Sequence, residues 1–295
     1  MSNSINQERK LTQSQKMMVF VLSMSLFGLS KMITEILPSN EIGPIEFSIS
    51  YFAFIPLILA ALFHPLYVAL GASVGSIVFA GLLMGDFGGI GEVEGFIEFT
   101  LAIYVAGLLV RNPLNKMQLA IASLVGVGID QLLSTVVDIG KVWFGVEGFD
   151  AVPGLPESIV VLEGVSFLNE MVITGVLFGL IPTLLLTPKL YGKIEPLLGM
   201  NPRKARVEVS VGAYITPGLI FSVVVLTFVA MIAEFIAEMD MNLAFWSGDF
   251  IAQFSDDQKW IGYSAWAILA VGVIYIIFKL VNKNKKNKVE LDEAA

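Results

Sequence analysis

The chain has 295 residues, 56% of them hydrophobic and only 15% charged, with a mean hydropathy of +0.78. That composition leaves too little polar surface to cover a soluble globule of this size and places the chain in lipid. The net charge of −8 excludes the clustered basic surface that nucleic acid requires, and the absence of cysteine excludes disulfides, thiolate metal ligands and cysteine nucleophiles.

Eight apolar runs follow one another, at residues 17–37, 47–64, 66–84, 96–110, 117–139, 158–186, 209–235 and 261–280. Each approaches the roughly 20 residues that a helix needs to cross a hydrocarbon core. The runs are continuously apolar, not alternating as in a membrane barrel, so helices are the spanning element and the expected class is all-α. No small-residue cleavage site follows the first run, which is therefore expected to remain as a span.

The charges sort by side. Of the 18 Lys and Arg, 15 fall in alternate gaps: the N-terminus, the link at 111–116, the stretch 189–206 and the tail from Lys279. Most acids occupy the other gaps. By the positive-inside rule the basic gaps are cytoplasmic, which predicts a cell-membrane protein of eight spans with both termini inside. Residues 1–187 form the expected six-helix core. A basic linker rich in Pro and Gly covers 188–206, a helical pair 207–281, and a charged disordered tail 282–295.

The first span carries Lys31 with Glu35 one turn on. His64-Pro65 breaks the second from the third, where proline cannot continue the preceding helix. The third holds Gly71 and Gly75 in GxxxG spacing, a pattern that lets helix backbones approach closely, either within the chain or against a partner. The glycine-rich segment after it, from Gly85 to Gly95, follows a membrane helix and carries acids, so it is no phosphate cradle; it suits a flexible lid or a loose turn.

Two polar stripes mark the interior. Gln131, Ser134, Thr135 and Asp138 recur along one face of the fifth span, with Asp130 beside them; Glu163, Ser166, Glu170 and Thr174 form a second stripe on the sixth, flanked by Asn169. At helical rise, Asp130 lies roughly 14 Å and Glu170 roughly 18 Å below the outer helix ends. A carboxylate at mid-membrane costs at least about 2.5 kcal/mol, and two at matching depth predict a shared aqueous cavity. Outer-side residues Glu46, Tyr51, Glu94, Glu98 and Trp143 add an acidic vestibule that would concentrate cations. A structural reading stands beside this one, in which Lys31 pairs with Glu35 or Asp130 only to hold helices together.

No nucleotide-binding, zinc-protease or serine-hydrolase motif occurs, and one histidine cannot build a metal site. The expectation is a protein that is not an enzyme and uses no cofactor or metal.

Pro56, the His64-Pro65 turn, Gly71 with Gly75, and Gly107 and Arg111 closing the fourth span lie in an arrangement that resembles the substrate-binding S components of energy-coupling-factor (ECF) transporters. The resemblance covers about residues 17–187. It implies a vitamin- or micronutrient-binding membrane subunit that works with a transmembrane coupling subunit and two cytoplasmic ATPases. The Ala-x-x-x-Ala pattern that many S components carry in the first helix is absent; Ser23/Phe27 and Met24/Gly28 stand nearest to it. The last two spans also lie outside the six-helix pattern. On this reading Asp130, Asn169 and Glu170 contact the solute, Lys31 and Gln131 lie beside them, and Glu46, Tyr51, Glu98, Asp138 and Glu163 lie nearer the entrance. The acidic lining suits a solute with a cationic group. A self-contained transporter using proton or sodium on Asp130 and Glu170 is the alternative from another class, and a scaffold whose polar groups only specify helix pairing is a third.

Overall fold

The structure is a computed structural model that describes residues 11–38, 40–42, 45–47, 49–85, 87–143, 155–203 and 217–238. The regular elements among the described residues are helical apart from one small hairpin. Helix α1 (Gln13–Ile36) leads to antiparallel strands β1 (Asn40–Ile42) and β2 (Ile45–Phe47), then α2 (Phe54–Leu62) and α3 (Pro65–Gly75). After α3 the chain winds on in wide i→i+5 turns over Ser76–Leu82. Helices α4 (Glu92–Leu109), α5 (Lys116–Trp143) and α6 (Leu155–Glu170) follow; a second wide-turned stretch, Met171–Leu180, joins α6 to α7 (Ile181–Leu190), and α8 covers Pro217–Glu238.

Four of these helices are long and apolar enough to cross a membrane: Gln13–Ile36, Pro65–Leu82, Lys116–Val142 and Ile159–Leu190. Their outer faces are apolar. On the Ile159–Leu190 helix, Val161, Val165, Leu168 and Val172 recur at helical spacing and all stand exposed, which is a lipid-facing pattern.

The second predicted span is corrected. In place of a helix over 47–64 there is a hairpin strand, an extended segment at residues 49–52 and a helix of only 9 residues. The cause is local. The Ser50 carbonyl, which a longer helix would use for itself, accepts from Lys31 Nζ at 2.8 Å and Thr34 Oγ1 at 3.2 Å, both on α1. Pro56 then sits in the first turn of α2, where its missing N–H costs nothing. Every residue of α2 from Pro56 to Leu62 is buried, as expected of a helix that is apolar all round. It forms the centre of the core, in contact with α1, α3, α4, α5 and α7.

The small residues of α3 serve internal packing. A Cβ on Gly71 would collide with the Phe20 carbonyl and one on Gly75 with the Met24 carbonyl, so α1 lies backbone to backbone along α3. Gly107 on α4 lies similarly close to the side chains of Pro65 and Ala60.

The start of α1 carries a reciprocal cap, with Gln15 N donating to Thr12 Oγ1 and Thr12 N to Gln15 Oε1. Gln15 Nε2 also donates to the Gly199 carbonyl at 3.0 Å. The stretch read from sequence as a linker is therefore tied to the core over its described part: Met200 is buried, and Arg203 Nη1 donates to the Ala60 and Ala61 carbonyls at 3.3 and 3.1 Å. These carbonyls belong to the last turn of α2, which has no intrahelical donors for them. A unit boundary falls at Glu234, inside α8.

Replacing Gly75 by Leu is expected to part α1 from α3 at a cost of about 1–3 kcal/mol or more. Gly164→Ala on α6, where an added methyl meets nothing within 4 Å, is expected to leave stability unchanged or raise it by about 0.5–1 kcal/mol. Thermal unfolding of the two variants in detergent checks both; equal transitions would refute the close approach.

Candidate functional site

A cavity of about 250 Å³ lies among α1, the extended segment before α2, α3 with its wide-turned extension, α4 and α5. Each wall has a local reason for its chemistry. From α1 come Phe27 and, one turn on, Lys31, whose ammonium pairs with Glu35 at 2.7 Å as well as holding the Ser50 carbonyl. The extended segment delivers Tyr51, because the captured Ser50 carbonyl keeps the backbone from coiling there. From α5 come Asp130, Gln131 and Ser134, consecutive members of one polar face. From α4 come Glu98 and Phe99, both buried.

Tyr51 Oη donates to Asp130 Oδ2 at 2.6 Å, the short distance of a hydroxyl bonded to a carboxylate. Gln131 is a further hydrogen-bonding neighbour of both. Around them three rings pack together. Phe27 stacks on Phe99 with centroids 4.6 Å apart, and Tyr51 stands edge-on to Phe99 at 5.2 Å and to Phe27 at 5.8 Å. Ser73 adds a hydroxyl, which shares a 2.7 Å hydrogen bond with Thr100 Oγ1.

The structure thus brings Lys31, Tyr51, Glu98, Asp130 and Gln131 of the sequence-derived set into one wall. The others lie elsewhere. Glu170 is buried, accepts from Thr174 Oγ1 at 2.6 Å and is near enough to act electrostatically on Tyr51 and Asp130, yet among the described residues no part of α6 lines this cavity. The lining of this cavity holds Asp130 without Glu170. A helical stripe fixes which residues share a face but not which neighbour that face meets, and the face bearing Asp130 meets α1 and α4. Asn169 and Glu163 are part-buried on α6, outside this wall. Asp138 is engaged by Lys141 Nζ at 3.1 Å and by Ser134 Oγ at 3.3 Å. The side chains of Glu46 and Trp143 lie outside the described residues.

Sequence reasoning missed Lys141, which bridges Asp138 to Glu94 at 3.6 Å and so ties the C-terminal end of α5 to the first turn of α4. Its position three residues after Asp138 was the available signal. It also missed the ring cluster, since nothing distinguishes Phe27 and Phe99 among 21 phenylalanines. The glycine-rich segment proves to be the cap of α4: Gly85 and Gly89 take positive φ of 89° and 67°, and Glu92 Oε1 accepts from Gly88 N at 3.2 Å. Glu92 and Glu94 in that first turn also suit the positive end of the helix.

No curated protein and no solved structure matches the chain. Residues 18–288, a stretch that includes every residue of the cavity wall, match DUF8171, a family of unknown function, and the chain belongs to that family.

Proposed function

We propose that this protein is a membrane-embedded solute-binding subunit for uptake of a small, vitamin-like or similar micronutrient with a cationic group, of the S-component type in ECF transporters. One observation carries the reading: a cavity walled in part by the buried Glu98 and the part-buried Asp130, beside three helices long and apolar enough to span lipid. Ionisable groups at membrane depth are costly, and their usual justification is a ligand or an ion. The chain holds no nucleotide-binding motif, so an ATP-driven cycle would draw on a coupling subunit and two cytoplasmic ATPases.

In this reading the chain crosses the cell membrane eight times with both termini cytoplasmic, as the sorting of lysine and arginine favours. The cavity then opens outward past Glu92 and Gly95, on the side away from Arg111–Lys116. Solute enters between the first turn of α4 and the outer end of α5, which Lys141 holds together. Binding closes this rim, and work by the partners releases the solute inward.

Gentle-detergent purification of the tagged protein from its native membrane is expected to recover an ATPase pair. Uptake into vesicles should require ATP; uptake that persists without an ATPase and stops when the ion gradient collapses would instead establish the proton- or sodium-coupled alternative. Within the site, Tyr51→Phe removes the donor to a charged acceptor and is expected to cost about 1.5–3 kcal/mol of binding, roughly 10- to 150-fold in affinity. Asp130→Asn should weaken binding at least as much, whereas Glu170→Gln, outside the wall, should change it less than threefold or so. Binding titrations on the folded variants decide; full binding by Asp130→Asn would leave Asp130 a purely structural role.

A further inference from the structure

Glu98 differs from every other carboxylate of the cavity. It is 4% exposed, it lines the cavity, and its Oε1 is buried without a hydrogen-bond partner. The neighbouring cations are committed elsewhere, Lys31 to Glu35 and the Ser50 carbonyl, Lys141 to Asp138 and Glu94. Asp130, by contrast, already accepts from Tyr51. The wall therefore holds one carboxyl group whose hydrogen bonding the protein leaves incomplete. Acidic residues also outnumber basic ones on this wall, with Glu92, Glu98 and Asp130 beside Lys31, whose ammonium is already paired.

Beside this carboxyl group the surface is aromatic. Phe96 and Phe99 flank Glu98 in sequence and line the same cavity, with Phe27 stacked on Phe99. Ring faces attract cations, and they cover apolar surface as well. A bare inorganic cation fits poorly here, because hard cations take six or more oxygen ligands and would leave the rings unused. Size sets the last limit. A cavity of about 150 Å³ holds benzene, so one of about 250 Å³ admits a guest of roughly ten non-hydrogen atoms.

We propose that the guest is a compact organic ammonium ion whose N–H groups donate to the Glu98 carboxyl group and whose apolar body lies against Phe27, Phe96 and Phe99. This deepens the solute-binding reading and rests on it. It makes Glu98 the residue that selects for positive charge, with Asp130 and Tyr51 shaping the floor. A large multi-ring vitamin is excluded from this cavity by volume.

The test is calorimetric titration of the full chain in detergent with phenethylammonium, phenethyl alcohol and phenylacetate, three probes of similar size and different charge. Phenethylammonium is expected to bind at least tenfold more tightly than the alcohol, and phenylacetate not to bind. Glu98→Gln should abolish that preference while unfolding at the same temperature or higher, since it removes a buried unpartnered carboxylate; Glu98→Asp should retain part of it. Equal affinity for ammonium and alcohol, a preference that survives in Glu98→Gln, or no binding of the ammonium at millimolar concentration would overturn the proposal. Charge-selective binding without ATP-driven uptake would remove the transport reading and leave this one, whereas ATP-driven uptake by a protein indifferent to the ammonium would do the reverse.

Discussion

The Ser50 carbonyl is the point on which the described architecture turns. Two side chains of α1, the Lys31 ammonium and the Thr34 hydroxyl, take it as their acceptor and so keep it out of a helical ladder. The backbone stays extended through Tyr51 and coils only from Phe54, leaving α2 with 9 residues where a membrane crossing needs about twice that. The missing upper half of that helix is replaced by a tyrosine ring pressed on Phe27 and Phe99, with its hydroxyl against Asp130. Restoring a full-length helix would fill the region that the cavity occupies. An interior hydrogen bond here sets the room available for a guest.

The buried polar groups divide by whether the protein itself meets their needs. Asp130 accepts from Tyr51, Glu170 from Thr174, and Asp138 from Lys141 and Ser134. A buried acceptor left unmade costs on the order of 1–3 kcal/mol, so satisfied groups such as these are compatible with stability alone. Glu98 Oε1 carries that cost without an internal remedy. Glu195 Oε1 is likewise buried without a partner but lies outside the cavity, so Glu98 is the acid of the cavity wall whose need the protein leaves unmet.

Period and composition made much of the fold legible. The long helices α1, α3 and α5 follow from continuous apolar runs, and the face carrying Asp130, Gln131 and Ser134 follows from helical spacing, which is a property of one element at a time. What periodicity does not encode is the identity of the neighbour. Gly71 and Gly75 announced a close approach without saying that Phe20 and Met24 would be opposite, and the stripe through Glu170 did not reveal that it would miss the cavity. The second run misled for a different reason: its apolar residues do form a helix, but the decision to start it at Phe54 is made by Lys31 and Thr34, some twenty residues away in another element. Lys141 was visible as a charge and invisible as a bridge, since its second partner, Glu94, lies on α4.

Helix α2 also joins the two ends of the core. Its first turn follows directly on Tyr51 at the cavity, and its last carbonyls, Ala60 and Ala61, are held by Arg203. The same segment bonds back to α1 through Gly199 and Gln15, and Tyr191 Oη donates to the Arg203 carbonyl at 2.7 Å. A helix of this length, buried on all sides and packed to interior density, does not bend appreciably; it shifts as a body or not at all. Any rearrangement of the turn around Pro196–Leu198 must therefore either break the Arg203 bonds or carry the end of α2 with it, and a shift of α2 moves the tyrosine that closes one side of the cavity. In the proposed cycle that turn faces the cytoplasm, where a partner would act. Helix α2 thus connects the Arg203 contact at one end with Tyr51 and Asp130 at the other through a single short buried element.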